Sequence, residues 1–180
     1  MELFGNCSLN KFIKKQPLSR VKEDSARIVF KQIIKGIKAL HDKDFCHRDL
    51  KVTNMLIDSN NLKIKIIDFG FACLNQDKLR MYCGTRSYMP PELMKRVPYD
   101  GKQMDIWALG VTLFKLLTGE YPFGDDADKN LENNIINGIY KVPFYVSASA
   151  KDLLDRMFRI NSDSRINIGQ VSFLKDSDLI

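Results

Sequence analysis

Along residues 25–41 the apolar positions Ala26, Phe30, Ile33, Ile37 and Leu40 recur at helical spacing with polar residues between them. A helix puts all five on one side, so the segment predicts an amphipathic helix buried along that face. Ser19 or Asp24 is the expected cap at its start. Residues 103–118 follow a different pattern. There Ile106, Trp107, Leu109, Val111, Leu113, Phe114, Leu116 and Leu117 cover nearly the whole circumference. A helix that is apolar all round has to be enclosed by other protein, which predicts the centre of the core. Gly119 stands just past its end, where a left-handed residue is favoured.

Two short apolar runs, Met55-Leu56-Ile57-Asp58 and Leu62-Lys63-Ile64-Lys65-Ile66-Ile67, predict strands joined by a turn at Ser59-Asn60-Asn61. Residues 71–92 show no sustained period and predict a long loop, a length at which loops usually carry function. Further helices are expected near 130–138 and 148–158, and the stretch after Arg165 is weakly patterned. No repeat or linker-like segment divides the chain, so one folding unit is expected.

Composition narrows the class. A chain of 180 residues, 44% hydrophobic and 28% charged, suits a globular domain with a real core. No apolar run approaches the roughly 18 residues of a membrane-spanning helix, and the N-terminus lacks the pattern of a signal peptide. Cys7, Cys46, Cys73 and Cys83 are scattered with no Cys-x-x-Cys spacing. A zinc site or disulfide framework is therefore not expected, and reduced thiols in an intracellular, cytoplasmic protein are. The net charge of +6 is spread along the chain with no aromatic-interleaved stripe. It reads as a solvated surface, and neither nucleic acid nor membrane is an expected partner.

The chemistry concentrates in two segments, His47-Arg48-Asp49-Leu50-Lys51-Val52-Thr53-Asn54 and Asp68-Phe69-Gly70. A single Asp or Asn in a loop is most often a turn or cap residue. Two such segments in this order, with the strand pair between them, are far more specific. Asp49 is suited to orient, or take a proton from, an incoming hydroxyl. Lys51 can reach a transferring phosphate as a point charge. Asn54 and Asp68 supply hard oxygen ligands of the kind that hold Mg²⁺ together with phosphates and water. Gly70 is expected to give the turn its backbone freedom. Phosphoryl transfer asks for this combination, because it rests on positioning and charge rather than covalent work by the protein.

The two segments resemble the catalytic loop and metal loop of eukaryotic protein kinases, and the likeness runs from end to end of the chain. Gly84-Thr85-x-x-Tyr88-Met89-Pro90-Pro91-Glu92 is similar to the family's peptide-docking loop, with Pro90 in place of the usual Ala. Asp105-Ile106-Trp107 resembles the start of the central helix, whose Asp ties down the catalytic-loop backbone. Arg165 stands where the family pairs an Arg with the Glu of the docking loop, here Glu92. The fold so implied is mainly α: a protein-kinase-like large lobe with short β-strand pairs around the active site and the small β-rich lobe absent. Residues 1–180 are then expected to be a truncated kinase domain, hinge plus C-terminal lobe.

The resemblance also implies function. Lys51 and Thr85 match the serine/threonine kinases, and Phe71 resembles the large side chain associated with Ser over Thr. Ala72, Cys83-Gly84-Thr85 and Thr118-Gly119-x-x-Pro122-Phe123 lean toward the calcium/calmodulin-dependent, AMP-activated and cyclic-nucleotide-dependent branches. Met1-Glu2-Leu3-Phe4 looks like the hinge between lobes, with Met1 at the gatekeeper position. Glu2 and Phe4 would face the adenine, Ser8 the ribose, and Leu56 would form the floor under the ring. The implied reaction moves the γ-phosphate of ATP, with Mg²⁺, onto Ser or Thr of a protein substrate, with an activating or scaffold protein as a further partner.

Two departures shape that expectation. The family's Gly-x-Gly-x-x-Gly loop, strand Lys and helix Glu are not in these 180 residues, which by themselves are expected to be inactive and to leave an apolar upper face exposed. Residues 71–83 contain no Ser or Thr; Met81 stands where the phospho-acceptor usually lies, and Tyr82 is the one hydroxyl. Either constitutive order or a partner must then position that loop. The alternative is a non-catalytic kinase-like lobe that serves as a protein-binding module.

Overall fold

The computed structural model of the protein describes residues 7–76 and 78–174. It begins with β1 (Cys7–Ser8) and α1 (Leu9–Lys15), followed by the long helix α2 (Glu23–His41) and β2 (Phe45–Cys46). Strands β3 (Met55–Ile57), β4 (Ile64–Ile66) and β5 (Cys73–Leu74) come next, and then α3 (Pro91–Met94) and α4 (Gly101–Thr118). Helices α5 (Leu131–Asn137), α6 (Ala148–Met157) and α7 (Ile168–Ser172) complete the described chain. The mainly helical lobe with short strands that the sequence predicts is the lobe observed.

Helix α4 is the axle of the molecule. Every residue in it except Lys102 and Gln103 is buried, as its all-round apolar pattern requires. Asp100 caps its start, accepting the N–H groups of Lys102 and Gln103 at 2.8 and 3.3 Å. Gly119 ends it at φ 81°. A Cβ there would fall on the backbone oxygen of Ser19, so both the left-handed turn and the close approach demand glycine. Trp107, fully buried, stacks on Phe123 at 5.1 Å and meets the edge of Phe158 at 5.1 Å, which joins α4 to the C-terminal helices.

Helix α2 buries Ala26, Val29, Phe30, Ile33, Ile34, Ile37 and His41 against α4, α7 and β4. Leu40 is only half-buried. The expected caps are corrected. The residue before α2 is Lys22, whose side chain makes no capping bond, and Asp24 lies inside the first turn 3.4 Å from Arg27. Ser19 belongs to a short 3-10 turn at φ 51°. Acidic Glu23 and Asp24 beside the helix N-terminus favour the helix dipole without a cap bond.

Strands β1, β3 and β4 form an antiparallel sheet in that order, with Ser8 opposite Leu56, Met55 opposite Ile66, and Ile57 opposite Ile64. The predicted hairpin is therefore present, extended by a third strand. The expected loop at 71–92 is only partly a loop: it contains β5, which pairs with β2, and the start of α3. Helix α7 was not legible as a period because it has five residues. It is held by a capping box in which Asn167 and Gln170 bond each other's backbone at 2.9 Å. Among the described residues no helix is long and apolar enough to cross a membrane.

Candidate active site

One buried carboxylate ties the segment after β2 to the core. Asp105, fully buried near the start of α4, accepts the N–H of His47 at 2.8 Å and of Arg48 at 2.9 Å. His41, at the end of α2, places Nε2 2.9 Å from the same carboxylate. The resemblance predicted the backbone tie, while nothing in the sequence marked His41 beyond its place at the end of a helix. These bonds hold Arg48 at φ 66°, a left-handed conformation of the kind that costs ~1–3 kcal/mol and persists only where the surroundings impose it.

His47 links the two candidate segments. Its Nε2 lies 3.3 Å from the carbonyl oxygen of Ile67, and Nδ1 lies 3.3 Å from the N–H of Asp49. A carbonyl only accepts and an amide N–H only donates, so the proton sits on Nε2 and Nδ1 is the acceptor. The ring packs against Phe69 at 4.9 Å. From the other side, the N–H of Ile67 donates to the carbonyl of Asn54 at 2.9 Å. Ile67 is thus gripped twice by the 47–54 segment, which ties the start of the 68–70 turn to it.

Asp49 is the centre of the polar cluster and is only 6% exposed. Its Oδ2 is 2.8 Å from Lys51 Nζ and 3.0 Å from Asn54 Nδ2, and its Oδ1 accepts the Thr85 hydroxyl at 3.0 Å. Lys51 Nζ in turn donates to Thr85 Oγ1 at 2.9 Å. Gly84, at φ 101°, makes this contact possible: a Cβ there would stand 2.9 Å from the carbonyl of Arg48. The structure brings Asp49, Lys51 and Asn54 together as expected, and adds Thr85 as a direct neighbour. A carboxylate that already orients one hydroxyl, with an ammonium at its side, can orient another.

Asn54 spends its amide nitrogen on Asp49, donating to the side chain and to the carbonyl at 3.0 Å each. Its Oδ1 is left as a ligand atom. Asp68 is exposed at φ 64°, and its Oδ1 accepts the N–H of Gly70 at 3.3 Å. The left-handed residue of this turn is thus Asp68 and not Gly70. Gly70 matters for space instead, since a Cβ there would lie 3.2 Å from Asp68 Oδ1. One amide oxygen and one solvent-facing carboxylate fit a hard divalent cation that takes its other ligands from phosphate and water. Among the described residues no cluster of three His, Cys, Asp or Glu side chains offers a more complete cage.

Of the residues the resemblance assigns to a nucleotide, Glu2 and Phe4 lie outside the described residues. Ser8 and Leu56 sit directly opposite each other on β1 and β3. Ser8 Oγ accepts the Lys11 N–H at 3.3 Å as the cap of α1, which leaves its own hydrogen to donate. Leu56 is half-buried on the middle strand of the sheet.

The 71–83 segment is pinned at several points by unmodified groups. Arg48 Nε donates to the carbonyl of Phe71 at 2.6 Å, Leu79 bridges Tyr99, and the Tyr99 hydroxyl donates to the carbonyl of Met81 at 2.8 Å. Burial pushes the Tyr99 phenol up to about 12 against the pull of Arg48, so it keeps the proton it donates. These contacts hold the described residues of the segment without a phosphate.

Further along, Arg165 meets Glu92 with two hydrogen bonds of 2.9 and 3.1 Å and also donates to the carbonyls of Gln103 and Arg159. The pair is buried and joins the docking-loop candidate to the C-terminal segment.

Comparison with known proteins places the chain in a family. Residues 1–174 match the protein kinase domain. The serine/threonine-protein kinase SRK2B of Arabidopsis thaliana is 42% identical over 170 residues, a match covering 87% of this chain and 47% of that protein. The probable serine/threonine-protein kinase HSL1 of Saccharomyces cerevisiae is 39% identical over 84% of this chain and 10% of its own length. The serine/threonine-protein kinase kin-29 of Caenorhabditis briggsae is 38% identical over 84% and 19% respectively. The chain belongs to the protein kinase family, with serine/threonine kinases among its relatives. It spans less than half the length of these curated relatives.

Proposed function

We propose that this lobe serves a serine/threonine protein kinase, transferring the γ-phosphate of ATP to a Ser or Thr hydroxyl of a protein substrate. The observation that supports this best is the Asp49 cluster, in which carboxylate, ammonium and amide converge within 3.0 Å. Asp49 orients the substrate hydroxyl and Lys51 offsets charge on the moving phosphoryl group, while Asn54 and Asp68 are the residues that would hold Mg²⁺, which would supply further positive charge. Ser8 and Leu56 line the ribose and adenine side, with Glu2 and Phe4 completing it. Phe71, 41% exposed, favours Ser over Thr by its bulk. A cytoplasmic location suits the four free thiols.

These 180 residues alone are proposed to be catalytically silent. They include no Gly-rich loop or strand Lys to enclose the phosphates, and such enclosure is worth several orders of magnitude in rate. The test uses the natural full-length polypeptide with Ser, Thr and Tyr peptides and labelled ATP. Transfer to Ser and Thr is expected, with Asp49→Asn lowering kcat roughly a hundred- to ten-thousand-fold. Transfer that survives Asp49→Asn unchanged overturns the assignment. No transfer at all, with partners captured instead, favours the non-catalytic binding lobe.

A further inference from the structure

Two cysteines far apart in the sequence face each other across a strand pair. In the antiparallel pairing of β2 with β5, Cys46 is directly opposite Cys73, and their sulfurs lie 3.6 Å apart. Residues opposite one another in such a pair have Cα separations of about 4.5–5.5 Å, inside the span of about 4.4–6.8 Å that a disulfide bridges. The strands need not move to bring the sulfurs together. The pairing is anchored next to them, where Asn75 N–H donates to the carbonyl of Asp44 at 2.6 Å. The Asn75 side chain also accepts from Gly101 N–H at 2.8 Å and donates to Asp100 at 3.1 Å.

Place gives the pair its meaning. Cys46 immediately precedes His47, and Cys73 follows closely after Asp68-Phe69-Gly70. We propose that Cys46 and Cys73 form a reversible disulfide under peroxide, stapling the segment that leaves the metal loop to the strand that enters the catalytic loop. The bond itself is independent of the kinase assignment; its consequence for phosphoryl transfer rests on that assignment.

The two sulfurs differ in access. Cys73 is half-exposed, whereas Cys46 is fully buried. Burial, reinforced by Asp105, pushes the Cys46 thiol far up, so the outer sulfur reacts first. The Cys73 thiolate attacks one oxygen of hydrogen peroxide, the O–O bond breaks, and hydroxide leaves, giving a sulfenic acid. The Cys46 sulfur then displaces hydroxide from that sulfenic acid, and its proton departs with the hydroxide as water. Two thiols and one peroxide thus become one disulfide and two waters. Each sulfur loses one electron and each peroxide oxygen gains one. A low-molecular-weight thiol reverses the bond by exchange.

The experiment oxidises the full chain with hydrogen peroxide, alkylates the remaining thiols, digests it without reductant and reads the peptides by mass spectrometry. The expected product links the Cys46 and Cys73 peptides, minus two hydrogens, with Cys7 and Cys83 alkylated; reductant abolishes it. Cys73→Ser changes only the half-exposed sulfur, leaves Cys46 packed against α4, and removes the product. Amide exchange across residues 71–76 is expected to slow several-fold in the linked form. Cys73 carried to sulfinic acid with Cys46 alkylated, or links only between chains, overturns the proposal. Unchanged exchange in the linked form overturns the staple. Neither readout requires phosphoryl transfer, so an inactive protein counts against the kinase assignment alone.

Discussion

Asp105 shows how much one side chain can carry. Its carboxylate answers the N–H groups of His47 and Arg48 and the ring of His41 in a fully buried site. Asp105→Ala leaves those donors without partners away from water, and the expected loss is at least ~3 kcal/mol of unfolding free energy. Urea denaturation checks it, and a loss under ~1 kcal/mol would show that water or a neighbour replaces the carboxylate. Lys115 is the opposite case. It is 7% exposed, its ammonium lies 3.7 Å from the Tyr121 ring centroid, and that ammonium donates to the Gly119 carbonyl over a long 3.4 Å. Burial, with Lys14 adding to it, holds the Lys115 pKa below the usual lysine value despite Asp125 and Glu120. The folded state therefore binds this proton less tightly than the unfolded chain does. Its charge costs stability at neutral pH, and stability rises with pH from the lowered folded value up to the unfolded value of about 10.4. Lys115→Met is expected to raise the urea midpoint at neutral pH, and the gap to the parent is expected to close as pH climbs. A lower midpoint at neutral pH would sink this account. The candidate site residues were legible in the sequence because Asp49, Lys51, Asn54 and Asp68 lie in two short motifs. His41, Tyr99 and the Cys46–Cys73 pair were not, since each acts on a segment distant in the chain and no local spacing announces it.

Among the elements, the two longest helices were the most legible. α2 and α4 gave clear periods, and Gly119 ended α4 where expected. α5, of seven residues, was expected, whereas α1, α3 and α7, of seven, four and five, gave no period. Two-residue strands such as β2 and β5 exist only through their partners. The caps of α2 were misjudged because polar residues near a helix start are common, and only backbone geometry decides which one caps. Two predictions belong at this scale. Gly119→Ala forces a Cβ into the Ser19 backbone at a left-handed position, and the expected cost exceeds ~2 kcal/mol by urea denaturation, more than the ~1–2 kcal/mol of left-handed strain alone. Asn167→Ala removes half of the capping box, and a thermal melt is expected to register about 1 kcal/mol.

At the scale of the whole molecule, the Glu92–Arg165 pair closes the structure between the middle of the chain and its C-terminal part. All three guanidinium nitrogens of Arg165 donate, to the Glu92 carboxylate and two carbonyls, and the group lies 5.1 Å from the Trp107 ring. Arg165→Met leaves Glu92 buried and unpaired, and about 3–5 kcal/mol of stability is expected to go. The double change Glu92→Leu, Arg165→Met is expected to recover most of it, as measured by a double-mutant cycle; strict additivity would show that the two side chains do not act as a pair. The resemblance placed this pair from the sequence, 73 positions apart, which hydrophobic periodicity could not have done. Phe69, which packs against His47, and Phe71 are 48% and 41% exposed.

The loop pinned by Arg48, Tyr99 and the β2–β5 pair has a bearing on time. A loop ordered by an added phosphate is reset as fast as a phosphatase removes that group. Here no Ser or Thr lies between residues 71 and 83, and the bonds that order the loop form during folding. Releasing it means opening those bonds, a local unfolding event whose frequency is set by temperature and neighbouring contacts. The clock of this segment is therefore built into the fold, and amide exchange at Asn75 and Leu79, whose N–H groups donate to Asp44 and Tyr99, would read its rate directly.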